Sequence, residues 1–439
     1  MKYFNSKVFD YLYFAPILIL FSVIIIFVGR EIPIGDGARY WNFSENLLNG
    51  FYANKDLAPG FLWNGPGYPL FLTFLRVIGF NVFWITLMNA LLIYFGSIIF
   101  YRIIIYYLNK KQSIFITYLM VLSNLTLPIY STYLYTEPLT FFLLIIFIQN
   151  IHKIFLSKGS KYIFFSSIIF SFLILTKVFF AYLMLLGFIT LFFIKNDFFK
   201  KVFYVFVLTF LFTIPYQTYT YKITGKYFYW SDAGGDLLYW ISSPHEIDLG
   251  QWQEGNSFLL KQTIKNKYNN LSPDLVIKLN EIIFDFREYN HGSFIDSLSV
   301  LSGIKKDELL KKRAFSNIIN NKVVFLKNWS LNLSRLFTGS PTSLYFKPPN
   351  TPIKQTLNIV FSSFLFVLFM ISILIFCLTI KRYNYFIYFI IIFGLLYVFG
   401  ISLLANQSQR FLIPITPILF LFSSIIYSQN IKLVLKKAK

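Results

Sequence analysis

Long apolar runs separated by short polar breaks set the rhythm of this chain. Runs near the roughly 20 residues needed to cross a bilayer core occupy 9–28, 82–108, 112–128, 138–156, 161–176, 178–195, 200–216, 356–380, 383–404 and 411–429. They predict ten spanning helices. Thr176 and Lys177 interrupt the 161–195 stretch, which therefore reads as two short helices joined by a tight turn. One long hydrophilic stretch, 217–355, divides the chain into a membrane region over 1–216, a polar domain over 217–355, and a second membrane region over 356–439 with a basic tail.

Two polar segments carry patterns of their own. In the first loop, 30–80, Tyr40, Phe43, Leu47 and Leu48 recur at three- and four-residue spacing, predicting an amphipathic helix in the interface plane that ends at Gly50. Gly65-Pro66-Gly67-Tyr68-Pro69 then stiffens the return before a short apolar helix over 70–80. In the polar domain, "TGKYFYWSDAGGDLLYWISSP" (224–244) alternates aromatic residues around paired glycines and predicts a short strand and turn. Helical spacing recurs over 273–289, with Ser272-Pro273-Asp274 as its start, and over 304–337.

Charge orients these elements. With the N-terminus inside, segments 1–8, 102–111, 152–161, 195–201, 381–382 and 430–439 are cytoplasmic and hold 17 Lys or Arg against the single acid Asp197. The short outer loops hold only Arg30, Arg39, Lys55, Arg76, Lys177 and Arg410. Basic residues accumulate on the cytoplasmic side of membrane proteins, so 217–355 is expected outside, in periplasm or an equivalent lumen. The net charge of +21 is thereby accounted for as topology, and nucleic acid is not an expected partner.

Composition adds little beyond this. The chain is 56% hydrophobic and 13% charged, and its 55 Phe and 31 Tyr read as apolar filling and interfacial belts. Cys377 is the single cysteine, which excludes an intrachain disulfide and a thiolate metal site. Segment 9–28 is too long for a cleaved leader core and reads as a retained signal anchor. Asn-x-Ser/Thr triplets at Asn42, Asn124, Asn328, Asn332 and Asn406 read as chance matches.

The candidate chemistry consists of four charges expected on the outer membrane face. Asp36 lies between Gly35 and Gly37, and alone it reads equally as a helix cap or a solvated loop acid. Glu137 precedes Pro138 at the start of the fourth run, where a positive helix end would accept it without any further role. Lys177 and Arg410 sit beside apolar helix, where ionisable groups are costly and need a partner or a substrate. Lys177 snorkelling outward and Arg410 pairing with Glu137 are the simpler readings of these two. Together, two carboxylates and two cations suit a reaction in which a hydroxyl is deprotonated while a phosphate leaves. His152 reads as interfacial, and His245 and His291 lack metal-ligand spacing. No Gly-rich phosphate loop follows a strand, so nucleotide binding is not expected.

The order "GDGARYWNFSENLLNG", "NGPGYPLFL", "LYTEPL", "LTKVFFAYLMLL" and "SQRFLIPITPIL" resembles the GT-C superfamily of polyprenol-dependent glycosyltransferases. It looks most like the branch of protein O-mannosyltransferases and lipid A aminoarabinose transferases. The resemblance runs over nearly the whole chain, and "TGKYFYWSDAGGDLLYW" resembles the bacterial members. It implies a base at Asp36, lipid-phosphate handling by Arg410 and Lys177, and acceptor or metal binding at Glu137 and Tyr40, with a divalent metal ion as a candidate cofactor. The chain departs from the protein mannosyltransferases in having Asp-Gly where they carry adjacent acids.

The resulting expectation is an all-α polytopic membrane protein, GT-C-like, with about ten transmembrane helices, interfacial helices in the first outer loop and a small mixed extracytoplasmic domain. Its expected activity is inverting transfer of a sugar from a polyprenyl-phosphate-linked donor to a lipid, glycan or protein acceptor. The site would face the periplasm or exterior of a bacterial inner membrane. A polyprenyl-linked glycolipid flippase or transporter, which would carry charges at the bilayer midplane in two related halves, and an O-antigen-type polymerase or ligase are the competing classes.

Overall fold

The computed structural model describes residues 2–29, 32–124, 126–192, 194, 196–245, 248–250, 274, 288–338, 352–380, 383–404 and 409–437. Among these the protein is all-helical, with no strand. Arg30, residues 272–287 apart from Asp274, Lys195, residues 381–382 and Asn406, all used above, lie outside the described residues.

Each expected apolar run carries a helix. In chain order the N-terminal half holds α1 (Lys2–Val28), α2 (Asp36–Leu48), α3 (Gly67–Val77), α4 (Val82–Ile104), α5 (Lys110–Leu122), α6 (Leu127–Ser131), α7 (Glu137–Phe155), α8 (Lys161–Thr176), α9 (Phe179–Phe192) and α10 (Asp197–Thr224). Helices Pro352–Leu378, Tyr385–Ile401 and Thr416–Lys437 close the chain. Among the described residues four segments are long and apolar enough to cross a bilayer: Phe9–Val28, Val82–Ile104, Glu137–Phe155 and Asp197–Thr224. The protein is thus an α-helical membrane protein by length and composition.

Helix packing follows burial. α4 and α7 lie in the middle, α4 against α1 and α7 against α8, and α8 packs on α10. Beyond Asp10, α1 is apolar on every side apart from Ser22 and leaves Ile19, Ile26 and Phe27 exposed, as a helix facing lipid does. The amphipathic α2 buries Tyr40 and Phe43 and packs on α3, which in turn lies on α8.

Two expectations are corrected. The run 112–128 is not continuous: α5 ends at Leu122 and Pro128 opens the separate short α6, since proline suits a first helical turn and not a helix interior. The polar domain is not mixed among its described residues: 234–241 is helix α11 (Gly234–Ile241), not strand and turn. Gly235 is there for close approach, because a Cβ would stand 2.7 Å from the Asp307 carbonyl oxygen of the helix Gly303–Asn320. Its N–H donates to Asp307 Oδ1 at 2.8 Å. The helical spacing over 304–337 is realised as two helices, Gly303–Asn320 and Lys322–Thr338, broken at Asn321. Tyr239, Trp240, Ile241, Leu298 and Leu310 form a second, small core here.

Candidate active site at the helix ends

Each charged residue of interest is delivered by the end of an element. Gly35, at φ 57°, turns the chain into α2, whose first residue is Asp36. Glu137 is the first residue of α7, reached through a turn that the Asn89 amide holds by donating to the carbonyls of Ser131 (2.9 Å) and Tyr133 (3.2 Å). Lys177 follows the last residue of α8 in extended backbone. Arg410 stands in a 3-10 turn, Gln409–Leu412, pinned by the Tyr397 hydroxyl donating to the Phe411 carbonyl at 2.8 Å.

The rigid Gly-Pro-Gly stretch has a steric cause. A Cβ on Gly65 would stand 2.3 Å from the Leu175 carbonyl oxygen, and one on Gly67 would stand 2.5 Å from the Thr176 nitrogen. Only glycine lets the first loop lie against the end of α8, directly beside Lys177. Gly37 similarly faces Leu134, whose carbonyl oxygen would be 3.2 Å from an added Cβ. The first loop is therefore pressed onto the turns that precede α7 and follow α8.

This convergence builds one ion cluster. Arg410 donates from Nε to Glu137 Oε1 at 2.7 Å and from Nη1 to Asp36 Oδ2 at 2.6 Å, bridging the two carboxylates. Lys177 Nζ donates to the same Glu137 Oε1 at 3.0 Å. Arg39 Nη2 stands 3.5 Å from Asp36 Oδ1. Aromatic rings wall the cluster: the Arg410 guanidinium carbon is 4.5 Å from the Tyr135 ring centre and 5.4 Å from that of Tyr130, and Lys177 Nζ is 4.9 Å from that of Phe411. Glu137 is fully buried, whereas Asp36 keeps 28% of its side chain exposed.

Three cations thus face two carboxylates, and the cluster carries an excess positive charge. Such a donor set suits an anion. A divalent metal ion does not fit it, because Glu137 Oε1 is already shared by Arg410 and Lys177, and Asp36 by Arg410 and Arg39. Among the described residues no group of three His, Cys, Asp or Glu gathers elsewhere. Tyr40 lies one helical turn from Asp36. Burial first, then the negative charge of Asp36, push its phenol well above the ordinary range, so it stays a neutral hydroxyl. Its Oη accepts from Asn64 Nδ2 at 3.3 Å.

Asp36, Glu137, Lys177 and Arg410, chosen from sequence, are joined in one chain of contacts, Asp36 to Arg410 to Glu137 to Lys177. Arg410 does pair with Glu137, as its simpler reading held, but it reaches Asp36 as well. Lys177 does not snorkel; it turns inward to Glu137 and is 13% exposed. Arg39 and the rings of Tyr130 and Tyr135 were missed as site residues, although Arg39 at i+3 from Asp36 and Tyr135 two residues before Glu137 were visible signals. His152 is buried among Tyr106, Tyr107 and Phe386. His291 lies apart from the cluster in contacts, bonded through Nε2 to Asp248 (2.8 Å) and through Nδ1 to the Tyr239 hydroxyl (2.7 Å), with His245 edge-on to its ring. Compared with known proteins, the chain matches no family model and no curated protein.

Proposed function

We propose that the protein is an inverting membrane glycosyltransferase of GT-C-like architecture. It takes a sugar from a polyprenyl-phosphate-linked donor and passes it to a lipid, glycan or protein acceptor on the extracytoplasmic face, with ten spanning helices and 217–355 outside. The observation that carries this reading is the bridge from Arg410 to both Asp36 and Glu137, backed by Lys177 at the same carboxylate. A positive site walled by aromatic rings at helix ends is what a lipid-borne phosphate would meet on entering from the bilayer.

In the reaction so read, the acceptor hydroxyl gives its proton to Asp36 while its oxygen attacks the anomeric carbon. The bond from that carbon to the phosphate oxygen breaks, and the polyprenyl phosphate leaves with the electron pair, held by Arg410 and Lys177. Glu137, in contact with both cations, is a positioning residue that keeps them side by side. Because Asp36 occupies Nη1 of Arg410, the donor phosphate competes for that guanidinium and releases the base. Donor therefore binds before acceptor.

Membranes supplied with radiolabelled polyprenyl-phosphate sugars test this, comparing the native chain with Asp36→Asn at matched expression. Label in a lipid, glycan or protein with the native chain only is the expected result, with at least a hundredfold loss in the variant, the size typical of removing general base catalysis. Label that crosses the membrane equally with both chains and is transferred by neither would replace this reading with a transporter.

A further inference from the structure

Buried polar atoms almost always find a hydrogen-bond partner, so those that do not point to an absent ligand or water. Three such atoms lie around Tyr40, one turn along α2 from Asp36: Asn64 Oδ1, Tyr68 Oη and Arg39 Nη1, each a buried atom without a partner. They are one connected group. Asn64 bonds through its amide nitrogen to Tyr40, whose ring stands edge-on to Tyr68 at 5.0 Å between centres. Arg39 neighbours Tyr40 on α2, touches Asp36 with its other terminal nitrogen, and lies with its guanidinium carbon 4.9 Å from the centre of the Trp63 ring. Tyr68 has no exposed surface at all, so water does not satisfy it from outside.

We propose that Arg39, Asn64 and Tyr68 form a specificity subsite for a neutral, hydroxyl-rich sugar ring and exclude sugars bearing an amine. This inference rests on the transferase reading of the adjacent Asp36 and names the class of sugar it handles. An amide oxygen that only accepts, a phenol that donates and accepts, and a guanidinium that only donates are together matched by neighbouring hydroxyls, each of which does both. A phosphate or carboxylate offers no hydrogen to Asn64 Oδ1. An ammonium would confront Arg39 in a site that already carries excess positive charge. The rings of Trp63, Tyr40 and Tyr68 supply apolar faces for the C–H side of a sugar.

The test uses the purified full chain in lipid nanodiscs and three methyl hexosides as probes: neutral, amino-substituted, and oxidised to a uronic acid. The readout is the ligand-induced rise of the unfolding midpoint. Neutral hexoside should protect best, and Tyr68→Phe and Asn64→Leu should each weaken its binding by about tenfold, the cost of one buried hydrogen bond. Tyr68→Phe without ligand should melt no lower than the native chain, since the hydroxyl removed has no partner. A structural role for that hydroxyl would lower the midpoint. Arg39→Gln should let the amino hexoside protect nearly as well as the neutral one.

Better protection by the amino or uronic form, or unchanged neutral binding in Tyr68→Phe and Asn64→Leu, overturns the subsite. If protection follows the expected order while the native chain transfers no label, the subsite stands and the transferase reading falls. If label is transferred and Asp36→Asn abolishes it, yet the Tyr68 and Asn64 variants bind and react normally, the transferase stands and the subsite falls.

Discussion

At the scale of single residues, the four principal charges were legible because an ionisable side chain beside apolar helix is expensive enough to need a reason. What composition does not disclose is who meets whom, and here one guanidinium meets both acids. Replacing Arg410 by Ala leaves the buried Glu137 with Lys177 alone and Asp36 with Arg39 alone, and unfolding should become easier by about 3 kcal/mol, the lower end for removing one partner of a buried pair. Arg410→Lys keeps the charge but not the fork; it should recover most of that stability, measured by thermal denaturation in detergent, while transfer stays depressed at least tenfold. Asp232 offers a pH test away from the cluster. Burial, opposed by the Gly60 N–H donating at 2.7 Å, raises its carboxyl from 3.8 to about 6. A raised acid is stabilising only while protonated, so that contribution is complete below pH 3.8 and is lost as pH rises through about 6. The loss amounts to about 3 kcal/mol. Asp232→Asn should flatten the pH dependence of the unfolding midpoint across that window and leave the chain more stable than the native at pH 7.

At the scale of elements, the long apolar helices and the amphipathic α2 were readable from period alone. α11 was not, because the aromatic alternation before it imitates a strand, and the decisive fact is a contact between Gly235 and Asp307 far along the chain. The break between α5 and α6 was hidden by hydropathy averaging across Ser123–Thr126 and betrayed only by Pro128. The glycines of the first loop separate into two kinds, which makes a paired prediction. Gly67→Ala drives a Cβ to 2.5 Å from the Thr176 nitrogen, forcing α3 off α8 at a cost of about 3 kcal/mol. Transfer should fall with it, because Lys177 and Asp36 lose their shared support. Gly50, at φ +83° with open space around it, should cost only about 1–2 kcal/mol as Ala and leave transfer intact. Equal effects from the two substitutions would remove the close-approach argument.

At the scale of the whole molecule, the basic asymmetry between the loops predicts which segments face which side. Cys377 is the single cysteine, so a Cys377→Ser background allows single reporters to be introduced. A membrane-impermeant maleimide applied to intact cells should label Ser299→Cys in the outer unit and leave Lys111→Cys unlabelled until the membrane is opened. The reverse pattern would invert the topology and move the proposed site to the cytoplasm. The ion cluster itself gathers residues 36, 137, 177 and 410, with 374 positions between Asp36 and its Arg410 partner. During synthesis the two acids therefore wait without their shared guanidinium until residue 410 has emerged. Until then each acid has a single cation, Lys177 for Glu137 and Arg39 for Asp36, and nothing joins the two pairs. The cluster that the proposed reaction needs thus comes together only once Arg410 is in place, so a shorter product lacks the group that joins the two acids.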